Sequence, residues 1–157
     1  VNAVIRSALS LISNVIKNAT DRFEVSYASG LPTVRGSAQR LEQVVINLIQ
    51  NACQALPDRK CGLFVTTRRR EDGAGVCIVI RDEGTGIEPA DLARIREPFF
   101  TTKTDTGGIG LGLSISTRII EEHRGCLQFS SEAGSGTRVT VNLPADGAVE
   151  TAVAAHA

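Results

Sequence analysis

The sequence is poor in aromatic residues and carries no net charge. Its 157 residues include no Trp, one Tyr and five Phe, and 17 acidic residues balance 17 basic ones. Proteins that bind nucleic acid through bulk charge need a basic surplus, so we expect no nucleic-acid partner. No apolar run approaches the ~18 residues of a membrane-spanning helix, and the first residues lack the basic and apolar layout of a secretory signal. We therefore expect no membrane contact by this domain.

Paired cysteines are also missing. The four cysteines, Cys53, Cys61, Cys77 and Cys126, form no C-x-x-C pair, and no His stands near them at a zinc-like spacing. This pattern argues against a thiolate metal site and favours reduced, mostly buried thiols in a cytoplasmic protein. The 42% apolar and 22% charged residues are typical of a globular protein, and the length suits one domain. Because the chain begins with Val in mid-pattern, we expect it to be one domain of a longer protein.

Apolar periodicity predicts three long helices and about five strands. The predicted helices span residues 1–19, 37–56 and 113–123, with a short one at 89–96, and the predicted strands span 23–27, 63–70, 76–81, 126–130 and 137–143. Turn residues at 71–75 and 134–136 create two hairpins, which require antiparallel pairing. Helices separated by strands can cover one face of a sheet. The prediction is an α+β two-layer sandwich, with a mixed, mostly antiparallel five-stranded sheet covered on one face by three helices.

The densest glycine cluster lies just before the last predicted long helix. Four glycines fall within residues 107–112, after a polar run that follows the adjacent aromatics Phe99 and Phe100. Glycine lets the backbone approach a ligand closely, and N–H groups at a helix N-terminus favour anions. The segment is therefore a candidate phosphate-binding loop, although glycine-rich segments are often plain loops.

Two asparagines share one face of the second predicted helix. Asn47 and Asn51 lie four residues apart and flank the apolar stripe, so their side chains can line a pocket at the edge of the core. The alternative is that both are simply solvated. Asn is a mediocre helix former, and a pair of them beside the core favours a functional role.

An acidic residue stands at the end of the third predicted strand. Asp82 precedes a G-x-G turn, which would hold its carboxylate at the mouth of the turn, and an ordinary Asp-Gly turn is the alternative. The basic triplet at 68–70 could form a basic patch, but a solvated end of a hairpin strand explains three charges equally simply.

Four fragments in fixed order carry a resemblance to a known family. They are NLIQNA at 47–52, DEGTGI at 82–87, EPFFTTK at 97–103 and GIGLGL at 108–113. Together they resemble the catalytic, ATP-binding domain of bacterial sensor histidine kinases, in the superfamily that includes gyrase B, MutL and the large heat-shock chaperones. The resemblance covers residues 1–144 and implies an ATP lid at 97–114, and we expect the Ala-rich tail at 145–157 to be disordered.

The resemblance implies ATP and Mg²⁺ as cofactors and assigns roles by position. Asp82 would accept a hydrogen bond from the adenine amino group, Gly84 and Gly86 would let the backbone pass close to the base, and Ile87 would pack on it. The further nucleotide-binding positions that it implies are Asn51, Phe100, Thr101, Gly108, Gly110, Leu111, Gly112, Leu113 and Thr137. Asn51 would also ligate Mg²⁺ through its side-chain oxygen.

Asn47 and Lys103 are the catalytic residues that the resemblance implies. Asn47 would lie beside the phosphates, and Lys103 would reach a phosphate. In the ATP-hydrolysing relatives a Glu that activates water matches Asn47, and an Asn cannot act as a base at neutral pH. The resemblance therefore implies that ATP is kept for an acceptor other than water.

The implied acceptor is a histidine on a separate helical dimerisation domain, and a response-regulator receiver domain would act downstream. The chain has only His123, at the end of a predicted helix where we expect a capping or packing role, and His156, in the tail. Neither is expected to be the phosphoacceptor. Two other functions stay open: a nucleotide-sensing binding module without transfer activity, and a protein-serine kinase of the anti-sigma type.

Overall fold

The computed structural model describes residues 1–100 and 110–147. Its helices are α1 (Asn2–Leu11), α2 (Ser13–Ala19), α3 (Ala38–Ala55), α4 (Pro89–Leu92) and α5 (Gly112–Glu122). Its strands are β1 (Phe23–Ser26), β2 (Leu63–Arg69), β3 (Gly75–Asp82), β4 (Cys126–Glu132) and β5 (Gly136–Pro144). No helix in this described part is long and apolar enough to cross a membrane.

The five strands form one mixed sheet in the order β1-β2-β3-β5-β4. Strand β1 runs parallel to β2, and all other neighbours are antiparallel, which confirms the predicted sheet and both hairpins. Strand β3 lies in the centre, and all of its residues except Arg81 are buried. Its last residue, Asp82, pairs with Leu63 on one side and Thr137 on the other, so the acidic end of β3 is enclosed by its neighbours.

The long helices cover one face of the sheet, as predicted. Helix α3 buries the stripe that its 3.6-residue periodicity indicates, and Leu48 and Ile49 are among its least exposed residues. Helices α1 and α5 both pack on α3. Burying one such aliphatic side chain contributes about 1.5–3 kcal/mol. Because the core lies between α3 and the sheet, the ends of α3, α5 and β3 are held in fixed relative positions.

The single helix predicted over residues 1–19 is wrong in one respect, because the structure divides it into α1 and α2. Ile12, with φ −110° and ψ 18°, interrupts the helix. The hydrogen bonds from Ile12 N to Ala8 O and from Ile16 N to Ile12 O continue across the interruption. The apolar pattern does not reveal the break, since Ile12 and Ile16 are both buried in the core.

Two further boundaries differ from the sequence-based expectation. The short helix predicted at 89–96 is limited to Pro89–Leu92 and continues as turns. The first residues of the predicted tail are bound to the domain, because Ala145 N donates to Ala74 O and Asp146 N donates to Thr33 O, each at 2.8 Å. Residues 148–157 of that tail lie outside the described residues.

The basic triplet at 68–70 is explained by local partners. Arg68 pairs with Glu71 and Arg70 pairs with Asp72, both within the β2–β3 hairpin. The Arg69 guanidinium donates to Gly30 O at 2.9 Å. These contacts favour the interpretation of the triplet as the charged end of a hairpin strand.

Candidate functional site

The Asp82 carboxylate is oriented by two backbone donors. Its Oδ1 atom accepts hydrogen bonds from Gly84 N at 2.9 Å and from Thr137 N at 3.2 Å, and the residue is only 4% exposed. Asp82 at the end of β3 is thus a buried acceptor in a fixed orientation, as specific binding of a ligand requires.

The turn after Asp82 needs both of its glycines. A Cβ atom on Gly84 would lie 2.6 Å from Asp82 Oδ1 and 2.7 Å from Ala55 O. Gly86 has φ +69°, and a Cβ atom there would lie 2.0 Å from Glu132 O. Larger residues would strain the turn or push it away from α3 and the β4–β5 hairpin. The turn is also clamped by hydrogen bonds, since Thr85 N donates to Ala55 O at 3.0 Å.

Ser131 joins the end of this turn to β5. Ile87 N donates to Ser131 Oγ at 2.9 Å, Ser131 Oγ donates to Gly136 O at 2.9 Å, and it lies 2.9 Å from Thr137 Oγ1. Thr137, predicted as a binding residue, is buried beside Asp82. Sequence reasoning missed Ser131, because only the strand pairing brings it to the turn.

Glu83 holds the other side of the turn in place. Sequence reasoning did not predict this role. Its carboxylate accepts hydrogen bonds from Gly62 N at 2.8 Å, from Arg22 at 2.9 Å and from Arg81 at 3.2 Å. The hydrogen bond from Gly62 N, with the charges of Arg22 and Arg81, lowers the pKa of Glu83. Its partners lie on three separate segments, so the sequence gives no local sign of the cluster.

Cys53 lies on α3 close to the Asp82 carboxylate. Burial raises the pKa of the Cys53 thiol to about 11, and the nearby charge of Asp82 acts in the same direction. The thiol is therefore protonated and unreactive at neutral pH.

Asn47 faces the beginning of α5. Its amide Nδ2 donates to Ser116 Oγ at 2.9 Å, and a Cβ atom on Gly112 would lie 2.3 Å from Asn47 Oδ1. Ser116 is 2% exposed, which marks it as a buried support for Asn47. The sequence contained one signal for it, a Ser one helical turn after Gly112.

Asn51 lies one turn further along α3 and is half-buried. Its side chain makes no hydrogen bond to residues 1–100 or 110–147, so its amide oxygen is available as a ligand. The described residues contain no cluster of three or more His, Cys, Asp or Glu that could hold a metal. One neutral oxygen donor fits Mg²⁺ that is held mainly by waters and substrate phosphates.

The predicted lid is described only at its two ends. Phe99 N donates to Gly110 O at 3.0 Å, and both residues have positive φ angles, 67° and 71°. Phe100 is half-buried, with the Arg94 guanidinium 4.4 Å from its ring centroid. The predicted site residues Thr101, Lys103 and Gly108 lie outside the described residues, as does the middle half of the predicted lid, residues 101–109.

The start of α5 follows Gly110 directly. Leu111 immediately precedes the helix, and its carbonyl oxygen accepts from Ile115 N at 3.0 Å and from Ser114 Oγ at 2.9 Å. Leu113 packs against the hydrophobic core and fixes the first turn of the helix. The N-terminus of α5 is thus anchored next to Asn47.

His123 has a structural role, as predicted. Ser37 N donates to His123 Nε2 at 2.9 Å, and Nδ1 lies 2.7 Å from Ile119 O. Because a backbone carbonyl only accepts, the proton belongs on Nδ1. The buried ring therefore links the N-terminus of α3 to the C-terminus of α5.

Comparison with known proteins defines the class to which this site belongs. The model of the family described as histidine kinase-, DNA gyrase B- and HSP90-like ATPase matches residues 36–147. The chain therefore belongs to this ATPase family. The matched range contains α3, the Asp82 turn and α5, which are the elements that build the site.

The related proteins narrow this class to the sensor kinases. Sensor histidine kinase ZraS of Escherichia coli (strain K12) is 35% identical over 143 residues, which cover 91% of this chain and 30% of ZraS. The structure of the mycobacterial sensor histidine kinase MprB matches with a TM-score of 0.77 and 27% identity, covering 91% of this chain and 93% of that one. Full-length ShkA in complex with AMPPNP matches with a TM-score of 0.74 and 28% identity, covering 90% and 29%. The resemblance inferred from the four sequence fragments is confirmed, and the chain is a catalytic domain of the histidine-kinase type.

Proposed function

We propose that the chain binds ATP with Mg²⁺ and donates the γ-phosphate to a histidine on a separate helical dimerisation domain. The observation that carries the proposal is that the fold brings the Asp82 turn, the Asn pair of α3 and the N-terminus of α5 to one side of the molecule. The contact of Thr85 N with Ala55 O joins the first two, and Asn47 joins the second to α5. The complex of ShkA with AMPPNP supports nucleotide binding by this fold.

The Asp82 end would recognise the base. The carboxylate would accept a hydrogen bond from the adenine amino group, and Ile87 would pack on the ring. Because Gly84 and Gly86 carry no side chain, the backbone of this turn would pass close to the base. A charged, buried acceptor that is already oriented contributes about 1.5–3 kcal/mol per hydrogen bond.

The Asn47 end would hold the phosphates. Asn51 would supply one oxygen ligand to Mg²⁺, and the metal would neutralise phosphate charge when bound. Backbone N–H groups at the start of α5, around Leu111 and Gly112, would favour the anionic phosphates. Lys103, Thr101 and Gly108 are proposed to contribute from the segment between Phe100 and Gly110.

The chemistry of Asn47 favours transfer to a protein acceptor over hydrolysis. Its amide is neutral and cannot take a proton from water at neutral pH. Catalysis would therefore consist of positioning and charge neutralisation of the transferred group. The attacking imidazole nitrogen would form the new P–N bond as the bond to the ADP oxygen breaks.

The acceptor would belong to another domain, since His123 is buried and hydrogen-bonded on both ring nitrogens. The chain spans between 19% and 30% of the length of the first curated relatives it matches. We propose that the parent protein carries a helical domain with the phosphoacceptor, and that a receiver domain of a response regulator takes the phosphate from it.

The test uses the chain with γ-labelled ATP, first alone and then with the helical domain of its parent protein. Alone, the chain should bind Mg²⁺–ATP and release almost no labelled phosphate. With the helical domain, label should appear on that domain and be lost when its acceptor His is replaced. Rapid phosphate release by the chain alone, or binding without any transfer, would contradict the proposal, and the second result would favour a nucleotide-sensing module.

A further inference from the structure

The face of the sheet opposite the helices, called the open face below, carries an unbalanced positive charge. Side chains that alternate with the core residues of each strand point to this face. On the inner strands β2, β3 and β5 they include Arg68, Arg81 and Arg138 and no Asp or Glu. Within the five strands, the acidic residues of the open face are Glu24 and Glu132, which lie on the two edge strands. The centre of the open face therefore presents only basic charge.

Arg81 and Arg138 are direct cross-strand neighbours, and both are exposed. Like charges directly opposite each other destabilise an antiparallel pair. The Arg81 guanidinium lies 3.2 Å from the Glu83 carboxylate and 4.8 Å from the centroid of the Phe64 ring, on the side of β2. Arg138 makes no ion pair in the described part of the chain, with Glu132 or any other residue. Its charge is therefore not neutralised by the described residues.

A groove of about 400 Å³ lies beside Arg138 at the edge of the sheet. The residues that line it are Arg96, Gln128, Phe129, Ser130 and Thr140. Ser130 is the cross-strand partner of Arg138, so Arg138 and the groove are neighbours on the open face. Arg96 comes from the turns that follow α4, and its guanidinium lies 5.4 Å from the centroid of the Phe129 ring. No acidic residue lines the groove.

The groups in and beside this groove are suited to binding carboxylates. The guanidinium groups of Arg96 and Arg138 form charge-assisted hydrogen bonds with carboxylates. The amide of Gln128 and the hydroxyls of Ser130 and Thr140 are further donors. Because both arginines neighbour Ser130, a ligand with several carboxylates can reach both of them.

Charge and exposure favour an acidic protein segment over nucleic acid or a membrane. A nucleic-acid binder needs a basic surplus, and this chain has 17 acidic and 17 basic residues. Proteins that lie on membranes bury exposed apolar side chains beside their basic ones. The large apolar residues that are exposed in the described part of the chain all lie outside the strands; they are Leu11, Val15, Phe99 and Ile115. Arginine is also enriched at protein interfaces.

We propose that the open face around Arg138 and Arg96 is a docking surface for an acidic segment of a protein partner. Carboxylates of the segment would pair with Arg138 and with Arg96 in the groove. Asn47 lies on α3, on the opposite side of the sheet, so docking uses none of the residues proposed to hold the phosphates. The inference therefore goes beyond the proposed function and does not depend on it.

The experiment titrates the isotope-labelled whole chain with a synthetic peptide of alternating Glu and Ser, followed by NMR. Amide signals of β4 and β5 around Arg138 should shift. Arg138→Ser and Arg96→Ser should each weaken the peptide Kd about fivefold, the upper end for one exposed ion pair. Arg138→Lys, which keeps the charge, should retain most of the affinity. Arg118→Ser is the matched control, because Arg118 is exposed on α5 and its loss changes the net charge equally.

The melting temperature separates a binding role of Arg138 from a structural one. Arg138→Ser removes the repulsion from Arg81, so it should raise the melting temperature while it weakens peptide binding. A lower melting temperature with unchanged peptide binding would show that Arg138 serves the fold, and it would overturn the inference.

Four further results would overturn the inference. Equal losses in Arg138→Ser and Arg118→Ser would indicate general charge attraction, as would equal binding of a peptide of alternating Gln and Ser. Sodium phosphate that shifts the same signals at the same concentration would indicate a simple anion site. Tighter, Arg138-dependent binding of phosphatidylserine vesicles would indicate a membrane surface. ATP affinity should be the same in all four variants, so failure of the docking surface leaves the proposed function standing.

Discussion

The two ends of the candidate site are built in different ways. At the end proposed to recognise the base, the base end below, backbone groups fix Asp82 and the turn that follows it, with hydrogen bonds from Gly84 N, Thr137 N and Thr85 N. At the end proposed to hold the phosphates, the phosphate end below, the Asn47 side chain donates a hydrogen bond to Ser116 within the described residues. Asn51 bonds to no group in residues 1–100 or 110–147.

This difference indicates that the base end is preorganised for its ligand, whereas the phosphate end is not. Backbone donors that are already placed reduce the ordering cost of binding. The base end should therefore be sensitive to any change in backbone geometry, whereas the phosphate end should respond to side-chain chemistry. The following predictions test that contrast, from the largest expected effect to the smallest.

Replacing a glycine of the base end should have the largest effect. Gly86→Ala places a Cβ atom 2.0 Å from Glu132 O at a φ of +69°, so the backbone must move. We expect a loss of about 3 kcal/mol in the free energy of unfolding, measured by denaturant titration. Gly134→Ala is the matched control, because it has φ +79° and nothing within 4 Å of the added atom. The control should cost about 1–2 kcal/mol, and equal losses in both variants would show that the close approach to β4 does not matter.

Removing the charge of Asp82 should have the next largest effect, which is a loss of ATP affinity. Asp82→Asn keeps an oxygen that can accept from Gly84 N and Thr137 N, but it replaces a charged acceptor with an amide. We expect ATP affinity to fall by about 2 kcal/mol, or roughly 30-fold, with little change in thermal stability. Calorimetric titration checks this, and an unchanged Kd would contradict the role given to the base end.

The phosphate end should show coupling between Asn47 and its support. Both Asn47→Ala and Ser116→Ala should slow phosphate transfer, and the double variant should be less impaired than the sum of the two. The expected coupling is about 1 kcal/mol, obtained from transfer rates of the four proteins in a double-mutant cycle. Strict additivity would mean that Ser116 does not act through Asn47.

The smallest effect at neutral pH should come from Cys53, whose titration changes stability only in alkaline solution. Its pKa is raised from an ordinary value of 9.0 to about 11, so the folded protein holds this proton more tightly than the unfolded chain. The resulting stabilisation is fully present below about pH 9 and is lost as the pH rises to about 11. Cys53→Ser should flatten the dependence of unfolding free energy on pH within that window. An equal fall of the unfolding free energy between pH 9 and 11 in the unmodified chain and in Cys53→Ser would contradict the raised pKa of Cys53.

Local sequence patterns predicted the elements of the fold well, since both hairpins, α3 and α5 follow directly from periodicity and turn residues. The pairing of β3 with β5 and the parallel contact of β1 with β2 depend on packing between distant segments. The interruption at Ile12 was missed because the apolar spacing continues through it.

The candidate site shows the same division. Asp82, Asn47 and the glycines stand in recognisable fragments, and the sequence therefore predicted them as site residues. Ser131, Ser116 and Glu83 support them from other segments, and only the three-dimensional pairing shows their contacts. For Ser131 and Glu83 no local pattern indicates the role, because their partners lie on separate segments of the chain.

The most direct test of the central claim is the chemical stability of the phosphorylated protein. After incubation of the chain with γ-labelled ATP and the helical domain, the label should be lost in acid and retained in alkali, as expected for a phosphorus–nitrogen bond to histidine. An acid-stable label, typical of phosphoserine, would contradict the account and favour a protein-serine kinase of the same superfamily.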